Sequence, residues 1–124
     1  MKGKPDKYGI KILMMNDAKT FYMVNASPYI EKVLTNPDET VPTYCVRTLS
    51  TPIHGTIGNI TCDNWFTSVE LVKKMLKDYS LTMVGTIRKN KRQIPVDFTR
   101  SAVVQSSRFA FDPDMTLVSF TPKK

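Results

Sequence analysis

The stretch NITCDNWFTS, residues 59–68, places Asp63 directly after a short alternating run and directly before two aromatics and a helix start. A carboxylate at the C-terminal end of a strand sits where open α/β sheets usually carry their sites. The chemistry it could serve is metal-assisted phosphoryl transfer. Hard Mg2+ takes oxygen ligands, and two such ions about 3.5–4 Å apart clamp the attacking and leaving oxygens. One aspartate can bridge two ions but cannot hold both, so Asp63 would need partners. Asp-Asn before a helix is also common turn chemistry, and on local pattern alone that reading is the stronger one.

A second candidate is the basic segment RKNKR, in which Arg88, Lys89, Lys91 and Arg92 fill four of five positions. Such a run suits phosphate-backbone contact, which is largely independent of base sequence and sensitive to salt. The competing readings are a solvated loop or a nuclear-import-like patch. The chain carries 18 Lys and Arg against 11 Asp and Glu, a net charge of +7. That excess, and the place of the run after a strand, favour DNA as partner.

Other reactive side chains carry plainer readings. His54 stands alone before Gly55, and no second histidine exists to complete a zinc set. The two cysteines, Cys45 and Cys62, show no CxxC or CxxH spacing, which argues against a disulfide framework or a zinc site. Cys62 reads as a small buried residue without a histidine to activate it. Trp65 and Phe66 read as packed aromatics beside Asp63. Asp17, Asp63 and Asp112 make a tempting triad, but Asp17 fits a turn unaided, and Asp112 and Asp114 flank Pro113 in a turn between strands.

These residues must be positioned by a modest set of elements. A chain of 124 residues suits one domain and buries roughly two-thirds of its unfolded surface. Its 41% hydrophobic and 23% charged content is ordinary for a globular protein. No segment resembles a signal peptide and the apolar runs are too short to span a bilayer, so a reducing, intracellular setting without a membrane partner is expected. YGIKILMMND and FYMVNAS read as a strand pair around the turn-like NDAKT. The first, apolar on both faces, has the pattern of a central buried strand. Residues 30–43 read as loop with a helical turn, and a short helix is expected from Pro42.

ITCD is a short strand with Ile60 and Cys62 on one side and Thr61 and Asp63 on the other. A helix follows it, with Thr67 and Glu70 fitting a capping box, Phe66 and Leu71 a hydrophobic staple, and an end near Asp78. SLTMVGTI is a further strand with Leu81, Met83 and Gly85 on one face. The segment QIPVDFTRSAVVQSS has little period, and RFAFDPDMTLVSF reads as two strands around an Asp-Pro-Asp turn. The order is that of an α/β or mixed α+β fold with a strand pair appended.

The blocks KYGIKI, TCDNWFTS and VGTIRKNKRQIP, in this order and continuing through FAFDPDMTLVSFTPKK, resemble the central part of a piggyBac-type transposase over nearly the whole chain. The resemblance implies a cut-and-paste DNA transposase with a ribonuclease H-like core, three catalytic aspartates, Mg2+ or Mn2+ as cofactor, transposon ends and TTAA targets as DNA partners, and a nuclear location. By this resemblance Asp63 matches the second catalytic aspartate and metal ligand. Arg88 and Lys91 best match the basic residues associated with DNA binding. The first aspartate would precede Lys4 and the third would follow Lys124, so neither has a counterpart here.

The expected fold is therefore a partial ribonuclease H-like core over residues 1–92, lacking its first strand, followed by the start of an insertion region over 93–124. One carboxylate cannot organise two ions, so the chain alone is expected to be inactive while retaining DNA binding. A missing strand would leave an open sheet edge, and with it poor solubility or a homo-oligomer. The alternative is a domesticated or decayed transposon remnant that serves as a basic binding module for DNA or protein.

Overall fold

A computed structural model describes residues 9–29, 37–100 and 102–123. The expectations for residues 1–8 and 30–36 lie outside the described residues. Strand β1 (Ile12–Asn16) pairs antiparallel with β2 (Met23–Pro28), with a register shift between Met15 and Asn16. The turn between them is built on Asp17. Its Oδ2 accepts hydrogen bonds from the Thr20 amide at 2.7 Å and the Thr20 hydroxyl at 2.6 Å. Those bonds, the hydroxyl's first, hold the Asp17 carboxyl below the usual aspartate range.

Helix α1 (Val41–Leu49) has Pro42 in its first turn, where a missing N–H costs nothing. It ends at Ser50 and runs into a 3-10 turn, Thr51–Ile53. The Asn25 amide reaches across from β2 and donates to the Leu49 carbonyl at 3.1 Å, satisfying one of the carbonyls a helix end leaves open.

Strand β3 (Asn59–Cys62), helix α2 (Val69–Tyr79) and strand β4 (Thr82–Gly85) form a parallel βαβ unit, with Asn59 opposite Thr82 and Cys62 opposite Gly85. The chain then makes a short helix α3 (Val96–Thr99) and a hairpin of β5 (Ser106–Asp112) and β6 (Met115–Thr121) around Pro113 and Asp114. The described residues are thus mixed α/β, with three two-stranded sheets and three α-helices.

Two groups of buried side chains hold together the described elements from β1 to β4. One joins α1 to the βαβ unit through Val46, Leu71, Met75 and Leu81; the last three are fully buried. The other joins α1 to β1 through Leu13, Cys45 and Leu49, with Tyr29 and Trp65 against it. Phe66 packs against both. Burial of each Leu or Met side chain contributes about 1.5–3 kcal/mol.

Two expectations are corrected, and one segment without a readable period acquires an element. Strand β1 is not buried on both faces: Leu13 is buried, but Ile12 and Met14 are 55% and 57% exposed, and β1 pairs with β2 alone among the described residues. The alternation supplied two apolar faces, but α1 covers only one. The N-cap of α2 is Ser68, whose hydroxyl oxygen accepts from the Leu71 amide at 3.2 Å. Thr67 is drawn inward instead, and Glu70 accepts from the Gln93 side chain rather than closing a capping box. The aperiodic segment after the basic run contains α3, a single turn entered through Pro95.

Candidate functional site at the end of the parallel strand pair

Because β3 and β4 run parallel in matched register, the residues after Cys62 and Gly85 leave the sheet side by side. Asp63 follows one strand and the basic segment follows the other. The fold therefore brings Asp63 and the start of the run Arg88, Lys89, Lys91 and Arg92 to the same sheet end. The four basic side chains are exposed and none pairs with a carboxylate among the described residues. Their backbone is ordered by turns, with the Lys91 amide donating to the Arg88 carbonyl at 3.2 Å and the Ile94 amide to the Lys91 carbonyl at 3.1 Å.

Asp63 is both a turn residue and an available carboxylate. Its Oδ1 accepts from the Trp65 amide at 2.9 Å, an Asx turn that sets the side chain's direction. Its Oδ2 accepts no hydrogen bond from the described residues, and the side chain is exposed. Trp65 is in turn held edge-on to Phe66 at 4.7 Å and to Tyr29 at 6.0 Å between ring centroids. Lys11 from the start of β1 lies over both Trp65 and Tyr29, at 4.9 and 4.8 Å. The expected role of Trp65 and Phe66 as packed aromatics beside Asp63 matches this arrangement.

The remaining acidic and thiol groups do not gather at Asp63. Asp17 is engaged in its own turn, and Asp112 lies at the hairpin tip within 3.8 Å of Lys73. No three His, Cys, Asp or Glu side chains among the described residues converge to hold a metal ion. Asp63 thus offers one free hard oxygen, which does not fit the ligand set two divalent ions require. The Cys62 thiol is pushed up in pKa, chiefly by burial, and stays protonated at neutral pH. His54 stacks on Tyr79 with ring centroids 4.1 Å apart and shares a 2.9 Å hydrogen bond with Ser50 Oγ, a packed structural role.

Over residues 1–124 the chain matches the family described as transposase IS4. The chain belongs to that family. Among solved structures it is similar to a piggyBac transposase in a cryo-EM synaptic complex with hairpin DNA, at 48% sequence identity and a TM-score of 0.90. The likeness covers 99% of this chain and 26% of the other, so the chain spans about a quarter of the length of that transposase. No curated protein matches. The matches support a piggyBac-type transposase fragment and do not favour the alternative of a domesticated or decayed transposon remnant serving as a basic binding module.

Two residues of the transposase fragment that sequence reasoning passed over sit directly behind Asp63. Thr67 is buried at 7% exposure, and its hydroxyl donates to the Asp63 carbonyl at 2.7 Å. Gly85 faces Thr67: a Cβ at position 85 would stand 2.3 Å from Thr67 Oγ1 and 2.8 Å from the Cys62 carbonyl oxygen. The sequence signal was present as two adjacent hydroxyl residues, Thr67 and Ser68, of which only one could cap the helix. No helix among the described residues is long and apolar enough to cross a membrane.

Proposed function

We propose that this chain is the part of a DNA transposase catalytic domain that contributes the second of three metal-binding aspartates, Asp63, together with a DNA-backbone contact surface formed by Arg88, Lys89, Lys91 and Arg92. The observation that carries the reading is the shared sheet end: parallel pairing of β3 and β4 brings Asp63 and the start of the basic run out at one end of the sheet, with Asp63 Oδ2 and the four basic side chains making no hydrogen bond or ion pair to each other or to other carboxylates among the described residues. The similar transposase was solved with hairpin DNA, which supports DNA as the partner here.

On this reading residues 1–92 belong to a ribonuclease H-like core and residues 93–124 begin an insertion region. The pairs β1–β2 and β3–β4 would both belong to that core. Mg2+ or Mn2+ serves the complete enzyme at transposon ends and TTAA targets in the nucleus. When bound, the ions would polarise the phosphoryl oxygens and activate the attacking oxygen. This chain supplies one ligand through Asp63, holds phosphates through its basic run, and does not cleave DNA unaided. Its open strand edge favours self-association.

The reading is tested by DNA affinity across salt concentrations. Replacing Arg88 and Lys91 with Ala should weaken binding and reduce the log–log salt slope by about 2, the effect of losing two phosphate contacts. Unchanged affinity and slope would remove the basic run from the proposal. Incubation of the chain with transposon-end DNA and Mg2+ or Mn2+ should give no cleavage. Robust cleavage lost in Asp63→Ala would show a working site in this chain.

A further inference from the structure

We propose that Thr67 and Gly85 are positioning residues that aim the Asp63 carboxylate. The inference rests on the reading of Asp63 given above, but its argument is geometric. Thr67 stands immediately before the N-cap of α2, a position at which an apolar residue commonly packs. Here it is a buried hydroxyl, and the cap is made by Ser68. A buried hydroxyl needs a partner, and this one is directed at Asp63 rather than at the helix.

The contacts form a closed lock. The Asp63 carbonyl accepts from the Thr67 hydroxyl at 2.7 Å and from the Thr67 amide at 3.2 Å, while Asp63 Oδ1 accepts from the Trp65 amide at 2.9 Å. The backbone and the side chain of Asp63 are thereby held at three points within five residues. With its proton committed to Asp63, the Thr67 hydroxyl receives the Cys62 thiol, whose sulfur lies 3.3 Å away.

Gly85 provides the room. The Thr67 hydroxyl occupies the space that a side chain on the neighbouring strand would fill, and the Cys62 carbonyl closes the other side. An alanine there must push the hydroxyl away from Asp63, because the backbone carbonyl at 2.8 Å cannot yield as a side chain can. One glycine on β4 is thus linked through one threonine to the direction of a carboxylate on the adjacent strand end. A catalytic carboxylate must be aimed closely for positioning to contribute to rate.

The test uses the 124-residue chain and needs neither metal nor DNA. Three-bond Hα–Hβ couplings report the χ1 population of Asp63, and amide exchange at Trp65 reports its turn. Wild type should show one Asp63 rotamer. Thr67→Val, which keeps shape and removes the hydroxyl, should average the couplings and speed Trp65 exchange about tenfold, the effect of losing roughly one hydrogen bond. Gly85→Ala should do the same, and Thr67→Ser, which restores the hydroxyl, should recover wild-type values. A merely structural threonine would not be rescued in this readout by Ser.

Wild-type couplings in a folded Thr67→Val chain would overturn the proposal. So would Asp63 couplings already averaged in the wild type, a result that needs no variant to fold. Failure of Asp63 as a metal ligand is read separately: Asp63→Asn placed in the complete transposase would leave Mg2+-dependent cleavage intact, while the couplings here stayed as stated.

Discussion

Glu39 and Arg47 form a two-point ion pair, with Arg47 Nε donating to Oε1 at 2.8 Å and Nη2 to Oε2 at 2.9 Å. The Glu39 side chain is 5% exposed, and Lys74 Nζ of α2 lies 3.6 Å from Oε1. One carboxylate thus links the segment before α1 to both long helices. Hydrogen bonds from Arg47 hold the Glu39 carboxyl below its usual value, against the opposing effect of burial. As pH falls below the ordinary glutamate value of about 4.3, the unfolded chain takes up this proton first. The contribution is complete above that value and is lost as pH falls through the lower folded one. Glu39→Gln should cost about 1–3 kcal/mol near pH 7 and make the acid loss of stability shallower. Asp17 titrates in the same direction, so some slope should remain. Urea unfolding of both chains at pH 7 and in mild acid measures it.

Met75 is fully buried beside Leu71 and Leu81 at the centre of the βαβ unit. Met75→Ala should destabilise by about 2–5 kcal/mol, from lost burial and the cavity left behind. Denaturant midpoints at an unchanged m-value would establish it. A cost below about 1 kcal/mol would mean that the unit repacks freely.

Ser80 ends α2 in the left-handed region, with φ of 55° and its amide donating to the Met75 carbonyl. A residue with a Cβ pays roughly 1–2 kcal/mol for that conformation. Ser80→Gly should therefore raise stability by about 0.5–1 kcal/mol despite glycine's freer unfolded state. Thermal unfolding decides the sign.

The outer face of the β1–β2 pair shows Ile12 and Met14, each more than half exposed. Self-association through this edge and face should rise with concentration in sedimentation velocity. Ile12→Lys should suppress it without loss of folding, since Ile12 belongs to neither buried group. Concentration-independent monomers in the wild type would count against the open-edge proposal.

The unit β3–turn–α2 was legible because alternation in NITC gives way to hydroxyl residues and an apolar stripe of helical spacing. The same pattern reads as a Thr67–Glu70 capping box, and that reading fails because the Thr67 hydroxyl turns to the Asp63 carbonyl, in room left by Gly85, 18 residues downstream. Apolar residues on both faces of β1 showed what the strand could bury, while the covering of only one face depends on where α1 lies. Helix α3 is one turn long and leaves no period to read. The turn role of Asp63 was visible from Asp-Asn alone. Its place beside the basic run required the parallel pairing of two strands separated by a helix.

Among the described residues the hairpin β5–β6 contributes no side chain to either buried group; Lys73 of α2 reaches Asp112 at its tip, and Arg108 donates to the Asp97 carbonyl of α3. Surface contacts of this kind are each worth little and weaken in salt. The chain is therefore expected to open as two cooperative units, with the hairpin the weaker. Hydrogen exchange should protect Leu71, Met75 and Leu81 to near the global unfolding limit, while the hairpin amides open at lower cost. The Asp63 sheet end lies within the stronger unit, and the basic loop leads from it into the weaker one. A partner that ordered the hairpin would thus reach the Asp63 sheet end through the basic loop, the segment proposed to contact DNA.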